Sequence, residues 1–407
     1  MRNIMTGLDI GTSKICAAIA GVSPDGKIEI RGIGLAEAKG INKGFVSSLD
    51  KLIDSVSTAV KAAEDEAGVK AHNVVTNISG SSVAGKLNEG LVHLSRRGRE
   101  ITRRDINGAI ETTKNISLTL ERDFLYCVPQ EFVVDDNAGV EDALGLFGTK
   151  LKVRLYVITA LATHIQNISK AVSYAGYELT DIVPTLVASA SCILRDEHKE
   201  NGTLVIDMGG GITELAIYKN GMLRFFDSVN VGGMDLTASL SAHFKISFES
   251  AEMIKRKCAG ISKEDLSKEK KSIFDVDNRH VTVNSIIINN LLKERFEEIF
   301  YILNDRLKSS EFFSDSMPAF MVTGGSSLLS GAHESFEDLL NIPIKRWRIE
   351  EIDADPSYLS NPVYSAAISL AKYGLDKEKK PGRTYSRGKS FLLDSVSRMR
   401  AFLDDYF

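Results

Sequence analysis

The feature that most constrains how this chain can fold is the segment 203–218, in which a run of glycines separates two largely apolar stretches. The first stretch runs into Asp207, and the pattern predicts two buried strands. Between them, Gly209, Gly210 and Gly211 leave the backbone free of side chains. Successive N–H groups at such a tip can form a concave anion site, and an aspartate at the strand end can hold a metal-bound water over it. A hairpin with a plain glycine turn is the alternative interpretation.

The same layout occurs near the start of the chain, and a related one occurs near its end. A strand containing Asp9 precedes the tip 11–13, and an apolar return strand follows. Near the other end, a strand at 320–323 runs into Gly324 and Gly325, and a helix is predicted to follow, whose first N–H groups can approach a ligand closely. Two hairpins so far apart, with a third glycine element, predict a duplicated scaffold that grips one phosphate tail from both sides.

These three elements resemble the two phosphate motifs and the adenosine motif of the superfamily that contains actin, sugar kinases and heat-shock ATPases. Within that superfamily, the segments 128–135, 145–148 and 151–158 resemble the FtsA family of bacterial cell-division proteins. The resemblance extends over nearly the whole chain. It implies an α/β fold of two actin-like lobes with mixed sheets flanked by helices, a small inserted α+β subdomain and a C-terminal amphipathic helix.

Changes of pattern along the chain predict how it is divided. The predicted segments are a first lobe core with the first phosphate hairpin, 1–80; an inserted α+β interaction subdomain, 81–157; the first lobe core continued with a hinge helix, 158–200; a second lobe core with the second phosphate hairpin, 201–235; a second lobe insertion over the nucleotide, 236–316; the second lobe core and a return hinge helix, 317–375; a flexible basic linker, 376–390; and an amphipathic membrane-targeting helix, 391–407. The hinge helices at 184–194 and 361–374 carry small residues that suit a pivot, although tight core packing would use the same residues.

Elsewhere the pattern predicts ordinary helices and strands. The segments 83–88 and 90–94 are predicted as two short strands, and 262–283 as an exposed turn with one strand. A long helix is predicted at 285–307, with Ile287 among its inward residues. The arginine cluster at 96–104 is interpreted as a solvated loop and helix start, with a binding patch as the alternative.

Composition excludes several classes of protein. The 407 residues are 43% hydrophobic and 26% charged, which is typical of a soluble globular protein. A formal net charge of −4 argues against nucleic acid as the main partner. The four cysteines are scattered, the histidines show no ligand spacing, and no apolar run is long enough to span a bilayer. Asp9 interrupts the only apolar stretch at the N-terminus, so no signal peptide is expected.

The resemblance implies roles for individual residues. Asp9 and Asp207 would organise Mg²⁺, an ion that takes oxygen ligands and keeps several waters. The residues expected to contact ATP are Gly11, Thr12, Ser13, Lys14, Gly209, Gly210, Gly211, Gly232, Gly233, Glu252, Lys255, Gly324, Gly325 and Ser326. Glu252 and Lys255 are assigned to the adenosine, and a solvated helix face is the alternative for both.

Hydrolysis of ATP needs a group that orients or deprotonates the attacking water. Related ATPases carry Glu or Gln at the start of the first hinge helix, where this chain has Val183. We therefore expect nucleotide binding with slow or no turnover. A sugar kinase is the enzyme alternative, but the chain shows no separate catalytic aspartate. An actin-like adaptor of pilus assembly is the other alternative, and the segment 129–135 favours the division family.

The end of the chain predicts a membrane contact. Residues 376–390 are basic with a Pro-Gly break, which predicts a flexible linker that attracts anionic lipid by about 1 kcal/mol per cation. In 391–407, apolar residues recur at steps of three and four, which predicts an amphipathic helix in the membrane interface. Its membrane-binding residues are Phe391, Leu392, Val396, Met399, Phe402, Leu403, Tyr406 and Phe407. Docking on a protein partner or on the body of the chain is the alternative.

The resemblance also implies a cellular role. FtsA proteins end in a membrane-targeting helix, so the chain is expected to anchor the FtsZ ring at the cytoplasmic face of the cell membrane, at the division site. The implied partners are the FtsZ C-terminal tail, received by 236–316; other copies of the chain, in a filament or oligomer; later division proteins, through 81–157; and an anionic lipid surface. Nucleic acid is not among them.

Overall fold

The computed structural model describes residues 4–117, 119–314 and 317–379. The predicted helix at 391–407 lies outside the described residues, as does the predicted linker 376–390 from residue 380 onward. The predicted start of the linker was wrong, because 376–379 form the last turn of a helix that runs from Ser365 to Lys379. None of the helices described is both long and apolar enough to cross a bilayer.

Strands and helices alternate along the chain. The strands are β1 (Ile4–Ile10), β2 (Lys14–Val22), β3 (Ile28–Glu37), β4 (Ile41–Asn42), β5 (Phe45–Val46), β6 (Asn73–Ile78), β7 (Ala84–His93), β8 (Arg99–Glu100), β9 (Arg122–Val134), β10 (Asn137–Val140), β11 (Phe147–Gly148), β12 (Lys150–Leu161), β13 (Glu178–Pro184), β14 (Thr203–Met208), β15 (Thr213–Lys219), β16 (Met222–Val229), β17 (Lys271–Val276), β18 (Arg279–Asn284), β19 (Phe320–Thr323) and β20 (Ile352–Asp353). The α-helices are α1 (Leu49–Ala67), α2 (Arg103–Ser117), α3 (Ala162–Tyr174), α4 (Thr185–Ile193), α5 (Asp196–Asn201), α6 (Gly233–Phe244), α7 (Phe248–Cys258), α8 (Lys263–Ser267), α9 (Ser285–Lys308), α10 (Ala332–Leu340), α11 (Pro356–Leu359) and α12 (Ser365–Lys379).

The first lobe is built on a six-stranded mixed sheet in the order β13-β6-β1-β2-β3-β20. The hairpin β1–β2 is antiparallel, whereas β6 runs parallel to both β1 and β13. Helix α1 packs on β2 and β3, and α12 packs on β1 and β2, so the hairpin is covered by helices. The near-continuous burial of β1 and β2 follows from this covering on both faces.

The second lobe repeats the arrangement on a smaller scale. Its four-stranded sheet has the order β16-β15-β14-β19, with β14 antiparallel to β15 and parallel to β19. Helices α6, α7, α9 and α10 contribute to one apolar core with this sheet, which includes Leu204, Leu236, Ile254, Phe296 and Phe336. Each lobe therefore presents one Asp-x-Gly hairpin held by its own core.

The inserted subdomain has a separate core. Its sheet has the order β10-β9-β12-β7, and α2 packs against β7 and β12. Ile101, Ile110, Leu151 and Val153 are buried in its core. The subdomain leaves the first lobe just before β7 and returns where β12 runs into α3.

Several local predictions were wrong. A single strand, β7, replaces the two short strands predicted at 83–88 and 90–94, because it pairs along its whole length with β12. The region predicted as a turn and one strand contains the short helix α8 and the two-stranded hairpin β17–β18. Ile287 is 45% exposed, because Ile288 takes the inward position on the face shared with Leu292.

Two further details refine the predictions. The turn after Gly324 is a 3₁₀ helix, Gly325–Leu328, and α10 begins later. Within the arginine cluster, Arg99 forms a two-pronged ion pair with Asp105 at 2.5 and 2.7 Å, and Asp105 also accepts the Thr102 N–H before α2. This arginine therefore stabilises a helix start.

Helix α12 lies directly against the first strand of the chain. A Cβ atom added at Gly7 would lie 2.0 Å from the Ala367 carbonyl oxygen, so only glycine allows this approach. A Cβ at Gly374 would likewise lie 2.6 Å from Cγ of Met5. The same helix packs against α4, its predicted twin in the hinge.

Candidate functional site

The two predicted glycine tips lie against each other between the lobes. A Cβ atom added at Gly210 would lie 3.0 Å from Cβ of Ser13, and one added at Gly211 would lie 2.9 Å from Cγ2 of Thr12. Side chains at these glycines would push the tips apart. The structure thus brings together two motifs that are about half the chain apart in sequence.

Each tip leaves N–H groups available. The Gly11 N–H donates to the Lys14 carbonyl at 3.1 Å, and the Gly209 N–H donates to the Ile212 carbonyl at 2.9 Å, which closes the two turns. The N–H groups of the intervening residues have no acceptor among the described residues; these are Thr12, Ser13, Gly210 and Gly211. Successive unpaired N–H groups are the donors that an anion needs.

The carboxylate of Asp9 is held by donors of the first lobe. Its Oδ2 accepts from Nζ of Lys14 at 2.7 Å, and its Oδ1 accepts from Nδ2 of Asn77 at 2.8 Å. Asn77 is fixed in turn, because its Oδ1 accepts the Ile10 N–H at 2.7 Å. Burial lowers the pKa of Lys14, but the charges of Asp9, Cys16 and Asp207 and the hydrogen bond to Asp9 together raise it above the ordinary value. This half of the site is a satisfied ion pair.

The carboxylate of Asp207 has no such support. No donor is bonded to it among the described residues. Burial, together with the negative charge of Asp9, raises its pKa to about 7, and Lys14 offsets this only in part. A Cβ atom at Gly324 would lie 2.4 Å from its Oδ1, so the third glycine element packs directly on this aspartate.

A third acidic residue in the cleft was missed by the sequence analysis. Glu214 lies opposite Asp207 in the β14–β15 ladder and is 2% exposed. Its Oε2 accepts the Leu186 N–H at the start of α4 at 2.8 Å, whereas its Oε1 is buried without a partner among the described residues. Burial, followed by the charge of Asp207, raises its pKa well above the ordinary value. The only sequence feature that could have identified Glu214 as a site residue is its acidic side chain in a strand otherwise predicted to be buried.

The carboxylates of Asp9 and Asp207 fit Mg²⁺ only if phosphate oxygens supply further ligands to the same ion. Among the described ranges, no set of three or more His, Cys, Asp or Glu side chains is arranged to hold a metal ion. Mg²⁺ commonly takes one or two carboxylates and completes its shell with waters and phosphate oxygens. A pair of neighbouring carboxylates, one of them with a raised pKa, is the donor set that such an ion would stabilise.

The predicted residues at the start of α6 form a wall of the cleft. The Gly233 and Met234 N–H groups donate to the Gly209 and Gly210 carbonyls at 3.0 and 2.6 Å. The Ser326 hydroxyl donates to the same Gly209 carbonyl at 2.7 Å. These contacts use the first N–H groups of the helix within the protein, so Gly232 and Gly233 shape the site rather than offering donors to an anion.

Glu252 and Lys255 lie on the face of α7 that packs on this wall. Nζ of Lys255 donates to the Gly233 carbonyl at 2.9 Å and to Oγ1 of Thr237 at 2.7 Å, and it lies 2.7 Å from Oε2 of Glu252. The side chains of Lys255 and Glu252 are 14% and 25% exposed, so the alternative of a solvated helix face is wrong for both. Burial lowers the pKa of Lys255.

The side chain of Val183 is apolar and buried. Val183 lies in β13 opposite Asn77 and is buried, so the position that carries Glu or Gln in related ATPases contributes no polar group here. Burial raises the pKa of Glu214 well above its ordinary value, which favours the protonated carboxyl, and a protonated carboxyl cannot take a proton from the attacking water.

Known proteins of similar sequence come from bacterial cell division. The family model described as Cell division protein FtsA matches residues 204–369, and the model described as SHS2 domain inserted in FTSA matches residues 80–159. The Cell division protein FtsA of Neisseria meningitidis is 32% identical over 89% of this chain and 88% of its own length. That of Pseudomonas aeruginosa is 29% identical over 96% of this chain and 94% of its own.

Solved structures give the same fold at lower sequence similarity. A PilM-PilN type IV pilus biogenesis complex matches with a TM-score of 0.66 at 18% identity, over 91% of this chain and 98% of that one. MreB5 of Spiroplasma citri, bound to ADP, matches with a TM-score of 0.54 at 14% identity, over 93% of this chain and 98% of that one. These likenesses show the actin-like fold, and the sequence similarity is more specific: the chain belongs to the FtsA family of bacterial cell-division proteins.

Proposed function

We propose that this chain is a nucleotide-controlled adaptor of cell division that binds ATP with Mg²⁺ between its two lobes. The observation that carries this proposal is the apposition of two glycine tips with unpaired N–H groups, flanked by Asp9 and Asp207. A triphosphate tail between the tips would accept from these N–H groups on both sides. Membership of the FtsA family favours this role over the pilus adaptor and the sugar kinase.

Most of the predicted residues have a direct part in this arrangement. Thr12, Ser13, Gly210 and Gly211 offer N–H donors to the phosphates, and Asp207 faces the ion that the phosphates bring. Lys14 is paired with Asp9, so it acts on the phosphates through the Asp9–Lys14 pair rather than as a free cation. Lys255, Glu252 and Ser326 line the wall that is proposed to receive the adenosine, while Gly324 and Gly325 allow close approach there.

Turnover is proposed to be slow. The chain has valine where related ATPases place a carboxylate or amide, and burial raises the pKa of Glu214, which favours its neutral form. Magnesium would supply charge stabilisation for phosphoryl transfer, but no described residue is placed as an efficient base. ATP would therefore act mainly as a conformational ligand.

Calorimetric titration tests the binding step. We expect saturable binding of Mg²⁺·ATP, weaker binding of ATP in EDTA, and weaker binding of tripolyphosphate, which lacks the adenosine. Asn201→Ala, an exposed substitution at the end of α5, is the matched control and should bind as the wild type does. Absence of saturation by about 1 mM Mg²⁺·ATP, the upper end of common enzyme affinities, would contradict the proposal.

The adaptor role rests on the tail and on the family. We propose that 391–407 lies in the membrane interface, that 236–316 receives the FtsZ C-terminal tail, and that 81–157 recruits later division proteins. The chain would then polymerise on the cytoplasmic face of the membrane and anchor the FtsZ ring. The apolar residues of 391–407 fall on one side of the predicted helix, and a basic linker precedes them. Both features support a position in the membrane interface.

Co-sedimentation with anionic vesicles tests the anchor. The full chain should pellet with vesicles, and deletion of 391–407 should leave it in the supernatant. Leu403→Asp, on the apolar stripe, should reduce pelleting strongly, whereas Ala401→Asp adds the same charge on the opposite side of the predicted helix and should reduce it much less. Equal losses of pelleting in the two variants would mean that the added aspartate is simply repelled by anionic lipid, which would contradict an apolar stripe in the membrane interface. FtsZ should pellet only when the intact chain is present.

A further inference from the structure

Beside the second glycine tip, the two lobes are joined by hydrogen bonds that no predicted motif contains. The loop after β6 belongs to the first lobe, and the end of β16 belongs to the second. The Gly80 N–H donates to the Ser228 hydroxyl at 3.0 Å, and the Ser81 N–H donates to Oδ1 of Asn230 at 3.0 Å. Nδ2 of Asn230 donates back to the Ser81 hydroxyl at 2.9 Å. Asn230 thus holds the first lobe with both ends of its amide.

A lysine from the β4–β5 turn strengthens this junction. Nζ of Lys43 donates to the Asn230 carbonyl and to Oδ1 of Asp235, both at 3.0 Å. The other oxygen of Asp235 accepts the Gly232 N–H at 2.9 Å, so this carboxylate also fixes the start of α6 beside the second glycine tip. We call Lys43, Gly80 and Ser81, with Ser228, Asn230 and Asp235, the latch.

Immediately behind the latch lies the attachment of the inserted subdomain. The Ser82 hydroxyl and Nδ1 of His164 are 2.5 Å apart and buried. The His164 ring stacks on Phe45 with centroids 5.1 Å apart, and it is hydrogen-bonded to the backbone of Gly44, the neighbour of Lys43. The ring therefore touches both loops that supply the first-lobe side of the latch.

An arginine ties the same loop to the two strands at the base of the inserted subdomain. Nη2 of Arg122, at the start of β9, donates to the Ser82 carbonyl at 2.8 Å and to the Thr159 carbonyl at 2.9 Å. Nε of the same residue donates to Oγ1 of Thr159, near the end of β12, at 2.8 Å. We call Ser82, Arg122, Thr159 and His164 the root.

We propose that the latch and the root form one two-state element, so that closure of the two lobes and seating of the inserted subdomain are coupled. Ser81 and Ser82 are consecutive residues, one in the latch and one in the root. Because one peptide bond joins them, Ser81 cannot leave its latch contacts without moving Ser82 in the root. Opening at Asn230 would therefore loosen Ser82, and displacement of Ser82 would loosen the latch.

The consequence for function follows from linkage. Insofar as the proposed nucleotide site is correct, ATP that favours the closed cleft also favours the seated subdomain. Any partner that displaces the subdomain must then weaken nucleotide binding by the same factor, because coupling of two equilibria is reciprocal. The latch and the root are coupled because they share one loop and switch together between two arrangements, so no chain of intervening residues is needed to carry the effect.

Hydrogen exchange of the nucleotide-free protein tests the coupling directly. Asn230→Ala removes both side-chain bonds to Ser81, and no hydrogen bond among the described residues joins the Asn230 side chain to β7 or α3. We expect amides in 84–93 and 159–166 to exchange roughly tenfold faster in this variant, since each neutral hydrogen bond lost shifts an opening equilibrium by about two- to tenfold. Asn201→Ala, on the exposed end of α5, should exchange as the wild type does. Unchanged exchange at the root in Asn230→Ala would overturn the proposal.

A second variant excludes general destabilisation. Ser82→Ala removes the bond to His164 but keeps the carbonyl that accepts from Arg122. If the latch and root are one element, the effects of Ser82→Ala and Asn230→Ala on exchange at 159–166 will be strongly non-additive in the double variant. Additive effects would mean independent local openings and would also overturn the proposal.

Adding Mg²⁺·ATP separates this inference from the nucleotide site itself. In the wild type, protection should increase both at the tips, 9–14 and 207–212, and at the root. In Asn230→Ala it should persist at the tips and be lost at the root. A wild type without protection at the tips would contradict nucleotide binding, and the nucleotide-free comparison would still decide whether the latch and the root are coupled.

Discussion

The two hairpins that meet in the cleft share one backbone plan but differ in how their aspartates are treated. Asp9 is neutralised by Lys14 and bonded by Asn77, so its charge is satisfied before any ligand arrives. Asp207 lacks a bonded donor among the described residues and faces Glu214 across the ladder instead of a cation. The carboxylate of the first hairpin is therefore already compensated by the protein. The carboxylate of the second hairpin is unfavourable when ionised, and a bound cation would stabilise it.

The largest expected effects come from neutralising each aspartate. Asp9→Asn leaves Lys14 as a partly buried cation without its partner and should lower the free energy of unfolding by about 1–3 kcal/mol, measured by denaturant titration. Asp207→Asn removes a carboxylate that is unfavourable in the empty protein, so it should leave stability unchanged or raise it. The same variant should weaken Mg²⁺·ATP binding by roughly 100-fold or more. Equal destabilisation by both variants would contradict the comparison.

A smaller effect is expected from separating the tips. Gly210→Ala places a Cβ about as close to Ser13 as real contacts allow, and overpacking of this kind costs about 1–3 kcal/mol. We expect a roughly 10- to 100-fold loss of Mg²⁺·ATP affinity by calorimetry, with a folded protein. Gly108→Ala is the control, since nothing lies within 4 Å of an added Cβ there and alanine favours the helix α2. Normal affinity in Gly210→Ala would show that the tips need not touch.

The raised pKa of Asp207 predicts a pH dependence. Only the ionised carboxylate binds Mg²⁺, so the affinity for Mg²⁺·ATP should rise roughly tenfold between pH 6 and pH 8, through the pKa of about 7. In the empty protein the sign is opposite: the folded state holds this proton more tightly than the unfolded chain does, so stability should decline as pH rises from about 4 to about 7. Asp207→Asn should flatten both profiles. A flat profile in the wild type would place the pKa of Asp207 near its ordinary value.

The smallest effect is expected at Glu214. Because burial raises the pKa of the Glu214 carboxyl and so favours its neutral form, Glu214→Gln replaces it with a neutral group of similar shape. Stability at pH 7 should change by less than about 1 kcal/mol, since the substitution leaves no charge unpaired. Above the pKa of Glu214 the variant should be the more stable protein, because the wild type must then ionise a buried acid. A large loss of stability at pH 7 would show that Glu214 is ionised.

The sequence predicted the parts of the site that depend on local pattern. Asp9 and Asp207 were placed correctly at the tips, because a strand, a glycine turn and a return strand are short-range features. Glu214 was missed, since a single acidic residue in an apolar strand carries no periodic signal. The latch was missed for another reason: Lys43 and Asp235 are 192 residues apart, and only the tertiary structure brings them within 3.0 Å.

The fold shows the same division. The order of elements followed from hydrophobic period, whereas the outward position of Ile287 depended on which neighbour, Ile287 or Ile288, faced the core. The hairpin β17–β18 escaped prediction because its alternation is short and half exposed. The membrane residues at 391–407 stay a prediction, since they lie outside the described residues.

The contact between Gly7 and α12 has a mechanical consequence. Helix α12 is the last element described, and it rests on β1 with no side chain between the two backbones at Gly7. A pull on the C-terminal end would therefore be delivered to the strand that carries Asp9, a few residues from the first tip. Tension between an anchoring surface and the rest of the molecule would act on the cleft itself.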